Sequence, residues 1–278
     1  MKTSNKILLA VGILLAAFFI YYKFRFQHFK VATTSMHSTF LEGDILLFDK
    51  HMSTIKRNDI VAFNASFIDV PVCSRVVGLP NDKIEIKDAS LLVNSVPLAN
   101  ENLEYEYLIE SDVKLSEKKL LKRKTLLEPF ILKDGYGTYH AFLSEENVKK
   151  VEELKGVKAV TKILHPLGYQ YLNSNLAIFP NHKNYNWSRD NFGAITVPKM
   201  GVKIELNASN IPLYIEVVKR ETEKSSAEIN QLKSYTFKQD YYFMMSDNRH
   251  NGIDSRYFGF VPVEDIIGVY SSTIYSPY

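Results

Sequence analysis

Ile7 to Tyr22, ILLAVGILLAAFFIYY, is an uncharged run of 16 residues, a little short of the roughly 20 that cross a bilayer core. Phe24 and Phe26 extend it if Lys23 and Arg25 snorkel, and Tyr21 and Tyr22 suit an interfacial belt. Lys2 and Lys6 would also serve a signal peptide, but Phe18 to Phe26 is bulky where a small-residue cleavage site should lie. The pattern therefore predicts an uncleaved single-pass anchor. Beyond it the apolar period shortens. Ile45–Phe48, Asp59–Phe63, Val70–Gly78 and Lys83–Ile86 are short strand-like runs, Leu79-Pro80-Asn81-Asp82 is a turn, and Asn94-Ser95 sits at the tip of a hairpin. They predict an antiparallel β unit.

From about Asn100 to Gln239 the chain turns charged and irregular, with scattered strands and one clear helix. Ser144 caps EENVKKVEELK, and Val148, Val151 and Leu154 recur at helical spacing. Glu221 to Ser226 is polar enough for a solvated loop. Dense β character returns in Tyr241–Met245 and again in Tyr257–Val261, on either side of SDNRHNGIDSR. The boundaries that follow are an anchor over 1–30, a β core from 31–99 and 240–278, and an inserted β-rich second domain over 100–239.

Composition changes this picture little. A hydrophobic content of 46% supports a buried core, and 34 basic against 31 acidic residues leave a net charge of +3, too small to argue for a nucleic-acid partner. The single cysteine, Cys73, offers neither a disulfide nor a thiolate metal site and fits a small buried hydrophobe. No His, Cys or Asp spacing asks for a metal, and no organic cofactor is implied. Asp247, Arg249, Asp254 and Arg256 bring more charge to one loop than a surface turn needs.

Three stretches, SMHSTFLEGDILLF (Ser35–Phe48), SRVVGLPNDKIEI (Ser74–Ile86) and SDNRHNGIDSRYFGFVP (Ser246–Pro262), resemble in order the motifs of the bacterial signal peptidase I family. WSRDNFGAITVP (Trp187–Pro198) is similar to its long-insert members. The resemblance implies a mainly β, signal-peptidase-like catalytic domain behind one transmembrane helix. It implies a cytoplasmic-membrane location with that domain on the outer side, contact with membrane lipid, and signal peptides of exported precursors as partners. Oligomeric state is not readable. Ser35 matches the nucleophile, and Thr33 a hydroxyl that forms the oxyanion hole with the Ser35 N–H. Met36 matches a residue near substrate and membrane surface. Arg75, Asp254 and Arg256 match charges beneath the site, with Asp247 and Gly252 in the same motif.

The resemblance also exposes what is missing. The family's general base is a lysine, and its position here is Ser74. The serine that steers that lysine is replaced by Gly252. Ser38 stands where a proline is usual, and Asn81 and Ser246 where glycines are usual. A serine hydroxyl needs a base within about 2.6–3.2 Å, so three readings follow: a silent or weakened homologue, a histidine base from His37 or His250, or a displaced lysine such as Lys50 or Lys56. The bland reading of both histidines is an exposed loop side chain. A non-enzymatic, membrane-tethered protein that binds precursors or regulates an active homologue is the reading from another class.

Overall fold

The computed structural model describes residues 3–51, 54–65, 68–99, 102–115, 131–132, 137–169 and 176–277. Its first element is a helix, Thr3–Arg25, whose apolar window Ile7–Arg25 buries none of its surface in the protein. Length, composition and exposure agree with a single membrane span. The helix stops at Arg25, and Phe26, expected to prolong it, already begins the strand Phe26–Lys30.

That strand is one edge of a seven-stranded sheet. Its order continues through Ile45–Asp49, Ile266–Tyr275, Ile60–Phe63, Val72–Gly78, Tyr241–Met245 and Val261–Pro262, and every pairing is antiparallel. The protein is mainly β, with both ends of the chain meeting in this sheet. The strand Ile60–Phe63 is buried along its whole length, so it reads as an unbroken apolar run rather than an alternation. Lys83–Lys87 joins a second sheet with Phe192–Thr196, Ser90–Val93 and Val96–Pro97. Its hairpin turns at Asn94 and Ser95, both with positive φ (53° and 69°), the conformation that a two-residue hairpin demands.

The stretch between the core motifs holds a third sheet in the order Val157–Lys162, Tyr105–Ser111, Thr138–Leu143, Ile131–Leu132. Packed on it is the helix Glu145–Glu152, capped by the Ser144 hydroxyl and burying Val151, as its spacing predicts. The expected loop at Glu221–Ser226 is different. Glu221 and Thr222 close a helix, Ile211–Thr222, and Ser225 forms a capping box with Glu228 for one further turn. Glu221 accepts hydrogen bonds from Tyr235 and Tyr241, which is why it is not a solvated residue. Tyr257–Val261 is also not one strand: Ser255–Phe258 is a helical turn ended by Gly259 at φ 80°, and only Val261–Pro262 pairs.

Asn81, standing where glycine is usual, has φ 77°. Asparagine is among the few residues that tolerate this left-handed conformation. Asn81→Gly is therefore expected to change unfolding free energy by less than about 0.5 kcal/mol, since relief at Cβ offsets the added chain entropy. A loss above 1.5 kcal/mol in urea unfolding would show that the Asn81 side chain holds the turn.

Candidate active site

The segment after the first edge strand is a series of tight turns. Thr39 N and Phe40 N both donate to Met36 O, at 2.9 and 2.7 Å, and His37 N donates to Thr34 O. Beneath the turn Met36 is 2% exposed, packed among Phe40, Leu46, Phe48, Ile60 and Ala62, and its Sδ receives the Asp247 N–H. It is thus a buried anchor of the turn. Ser35 stays half-buried and Thr33 exposed, their hydroxyls 3.1 Å apart. Ser35 O accepts from Asn248 N at 2.9 Å, tying this turn to the polar loop of residues 246–256.

Ser74 lies in the strand Val72–Gly78 opposite Val61 and is buried. It meets Ser35 and Thr33 in the wall of one cavity of about 270 Å³, otherwise mostly apolar, with Met36, Phe48 and Val72 among its lining. Cys73 packs at the edge of the same apolar cluster, where burial pushes its thiol up and away from reactivity. Among the described residues the cavity gives Ser35 no histidine and no buried amine as a base. His37 Nδ1 lies 3.2 Å from Glu104 Oε2. His250 Nδ1 accepts from Glu106 N, and Nε2 donates to Asp190 Oδ1 at 2.7 Å. Both rings are buried, which overturns their reading as exposed loop side chains. Lys50 Nζ donates to Lys23 O, and Lys56 does not line the cavity. Among the described residues the one amine that does is Lys30, exposed on the edge strand, a residue the sequence reading did not single out.

The charges of the polar loop form two clamps. Arg75 donates to both Asp247 oxygens, and Thr39 adds its hydroxyl to Oδ2, so Asp247 joins the Ser35 turn to the central strand. Deeper down, Arg256 donates through Nε and Nη2 to the two oxygens of Asp254, and through Nη1 and Nη2 to Arg189 O and Arg249 O. Gly252 sits in the same loop, packed against Ser246.

A third group was not foreseen. Arg189 and Asp190 are both buried. Asp190 takes hydrogen bonds from His165 N and His250, and Arg189 reaches His165 Nδ1, His250 O and Glu106. The sequence signal was the density of charge in WSRDN beside the lone tryptophan. His165, Asp190 and His250 bring their ligand atoms within 4.8 Å of one another, a candidate metal cluster. The Arg189 guanidinium, 3.0 Å from His165 Nδ1, sets a fixed cation against one of those atoms, which disfavours a second cation there. Burial lowers His250 from 6.5 to about 4, so it is neutral at pH 7, consistent with one donor and one acceptor nitrogen. For Asp190 burial works upward, but the bonds from His165 and His250 outweigh it and hold the carboxyl well below its usual range.

A family model described as "Signal peptidase, peptidase S26" matches residues 4–160 and 192–275. The chain belongs to the signal peptidase family. It is 27% identical over 270 residues to signal peptidase I of Buchnera aphidicola subsp. Schizaphis graminum, covering 90% of this chain and 68% of that one. It is 40% identical over 83 residues to signal peptidase I V of Bacillus subtilis, there covering 29% of this chain and 49% of the relative. A crystal structure of a signal peptidase I from Enterococcus faecalis aligns with 79% of this chain and 99% of its own at 18% identity and a TM-score of 0.29, too loose a superposition to carry detail. The signal peptidase match takes in Ser35, Ser74 and the whole polar loop but passes over residues 161–191. His165, Arg189 and Asp190 fall in that unmatched stretch, and folding brings them behind the loop.

Proposed function

We propose that this member of the signal-peptide-cleaving peptidases retains the precursor groove and nucleophile position but cleaves weakly or not at all. In this reading the β domain stands on the outer side of the cytoplasmic membrane, and exported precursors bind with a signal-peptide segment in the apolar cavity. One observation carries it: Ser35 and Ser74 share a cavity wall in which, among the described residues, no imidazole or buried amine accompanies them. A hydroxyl cannot take the Ser35 proton near neutral pH, whereas an amine with its pKa lowered by burial could. The Thr33 hydroxyl 3.1 Å from Ser35 Oγ, together with the Ser35 N–H, would supply the donors for an oxyanion.

The experiment compares precursor cleavage by the purified full-length chain with that by Ser35→Ala. Turnover is expected to be the same, at background, while both proteins bind a signal peptide equally to within about threefold. Cleavage that depends on Ser35 would instead mean that another base, Lys30 first among the residues at the cavity, serves it.

A further inference from the structure

Glycine at 252 is demanded by volume. Its φ is not in the left-handed region, yet a Cβ built there would stand 2.2 Å from both Cβ and Oγ of Ser246 and 3.2 Å from Asn248 O. No real side chain tolerates such an approach, so residues 246 and 252 compete for one space. Ser246 fills it. The family resemblance puts a glycine at 246 and a hydroxyl at 252, and this chain carries the reverse pair.

We propose that Ser246 carries the positioning hydroxyl of this site, in the space a side chain at Gly252 would otherwise fill. The proposal rests on the reading of Ser35 and Ser74 given above. Ser246 is wholly buried, and its Oγ has no hydrogen-bond partner among the described residues. Buried hydroxyls without a partner are rare and call for an explanation. Its backbone is fixed, because Ser246 N donates to Asp254 Oδ2 at 3.0 Å. The strand register points to its neighbour. Met245, the last residue of its strand, pairs with Arg75, and continuing that register by one residue would set Ser246 opposite Ser74 with both side chains toward one face. A hydroxyl offers one donor and two acceptor lone pairs, so it can receive an N–H from an amine held at position 74. Serine at 74 is too short to use it. The exchange at 246 and 252 would thus have preserved the steering group while the base it steers was lost, and only position 74 separates the site from a serine–amine pair.

Two measurements on the detergent-solubilised full-length chain test this. In the first, Gly252→Ser is expected to lower the thermal midpoint by about 5 °C or more, the scale of an overpacked core. Adding Ser246→Gly should recover most of that loss. Additive losses would show that the two positions do not share a space and would overturn the proposal. In the second, Ser74→Lys alone is expected to create precursor cleavage that Ser35→Ala abolishes. Adding Ser246→Ala should lower kcat about tenfold or more and move the rising limb of its pH profile to higher pH, with KM nearly unchanged. The combination Ser74→Lys, Ser246→Gly, Gly252→Ser should restore it, an outcome that a merely structural serine at 246 would not give. Equal kcat with and without Ser246 overturns the proposal, as does the absence of cleavage by both Ser74→Lys and the exchanged variant. The functional reading fails on a different result, namely Ser35-dependent cleavage by the native chain.

Discussion

Asp254→Ala is expected to cost about 3–5 kcal/mol of folding free energy, the range for removing one partner of a buried ion pair. The carboxylate is fully buried and Arg256 nearly so. Burial lowers the pKa of the Arg256 guanidinium, and the charge and hydrogen bonds of Asp254 more than reverse this. Without Asp254 the guanidinium keeps only two carbonyls as acceptors, in company with the buried Arg249, whose Nε and Nη2 have no partner among the described residues. Two further bonds go with it, since Asp254 also receives Ser246 N and Arg256 N, the latter as the cap of the Ser255–Phe258 turn. Asp254→Asn keeps an acceptor and should lose about half as much. Urea unfolding of both variants is the measurement. A cost under 1 kcal/mol for the alanine variant would mean that other acceptors replace Asp254 at the Arg256 guanidinium.

Acid should unfold this protein earlier than its surface charges suggest. His250 is held neutral, near 4 instead of 6.5, so between those values the unfolded chain binds a proton that the folded chain refuses. More protons on the unfolded state means that stability rises with pH through this window and is lost as pH falls from about 6.5 to about 4. The loss is on the order of 3 kcal/mol. Below about 4 the lowered Asp190 adds a second loss, because the unfolded carboxyl protonates first. In thermal melts at pH 7.5, 5.5 and 4.5 the midpoint is expected to fall by about 6–12 °C over the series. His250→Gln should start lower but flatten the slope between pH 6.5 and 4.5. An unchanged slope in that variant would place the titrating group elsewhere.

Much of the fold could be read from the chain because its signals are local. The alternation in Lys83–Ile86, the positive-φ pair at Asn94-Ser95 and the Ser144 cap each act within a few residues, and each appears where expected. The helix Ile211–Thr222 was missed although Ile211, Tyr214, Val217 and Val218 recur at helical spacing behind Asn210 and Pro212. The motifs located the candidate site, but not its supports. Arg189 and Asp190 gain their meaning from His165 and His250, which are distant in sequence and near only after folding. The competition between Ser246 and Gly252 for one volume is likewise invisible in a string of letters. Reading Gly252 alone suggests a hydroxyl lost, whereas the packing suggests one displaced.

The absence of a linker between the apolar helix and the sheet has its own consequence. Arg25 closes the helix and pairs with Asp49 on the neighbouring strand at 2.6 Å, while Lys50 grips the carbonyl of Lys23. The helix is bolted to the sheet. Phe29, the first residue of the cavity wall, follows Arg25 by four residues, or roughly 13 Å of extended chain. If the chain acts as proposed above, the cavity would hang at a set height above the bilayer, and a tethered peptide would reach it only with the few residues next to its own membrane segment. The anchor would then work as a ruler, selecting by distance before any side chain is recognised.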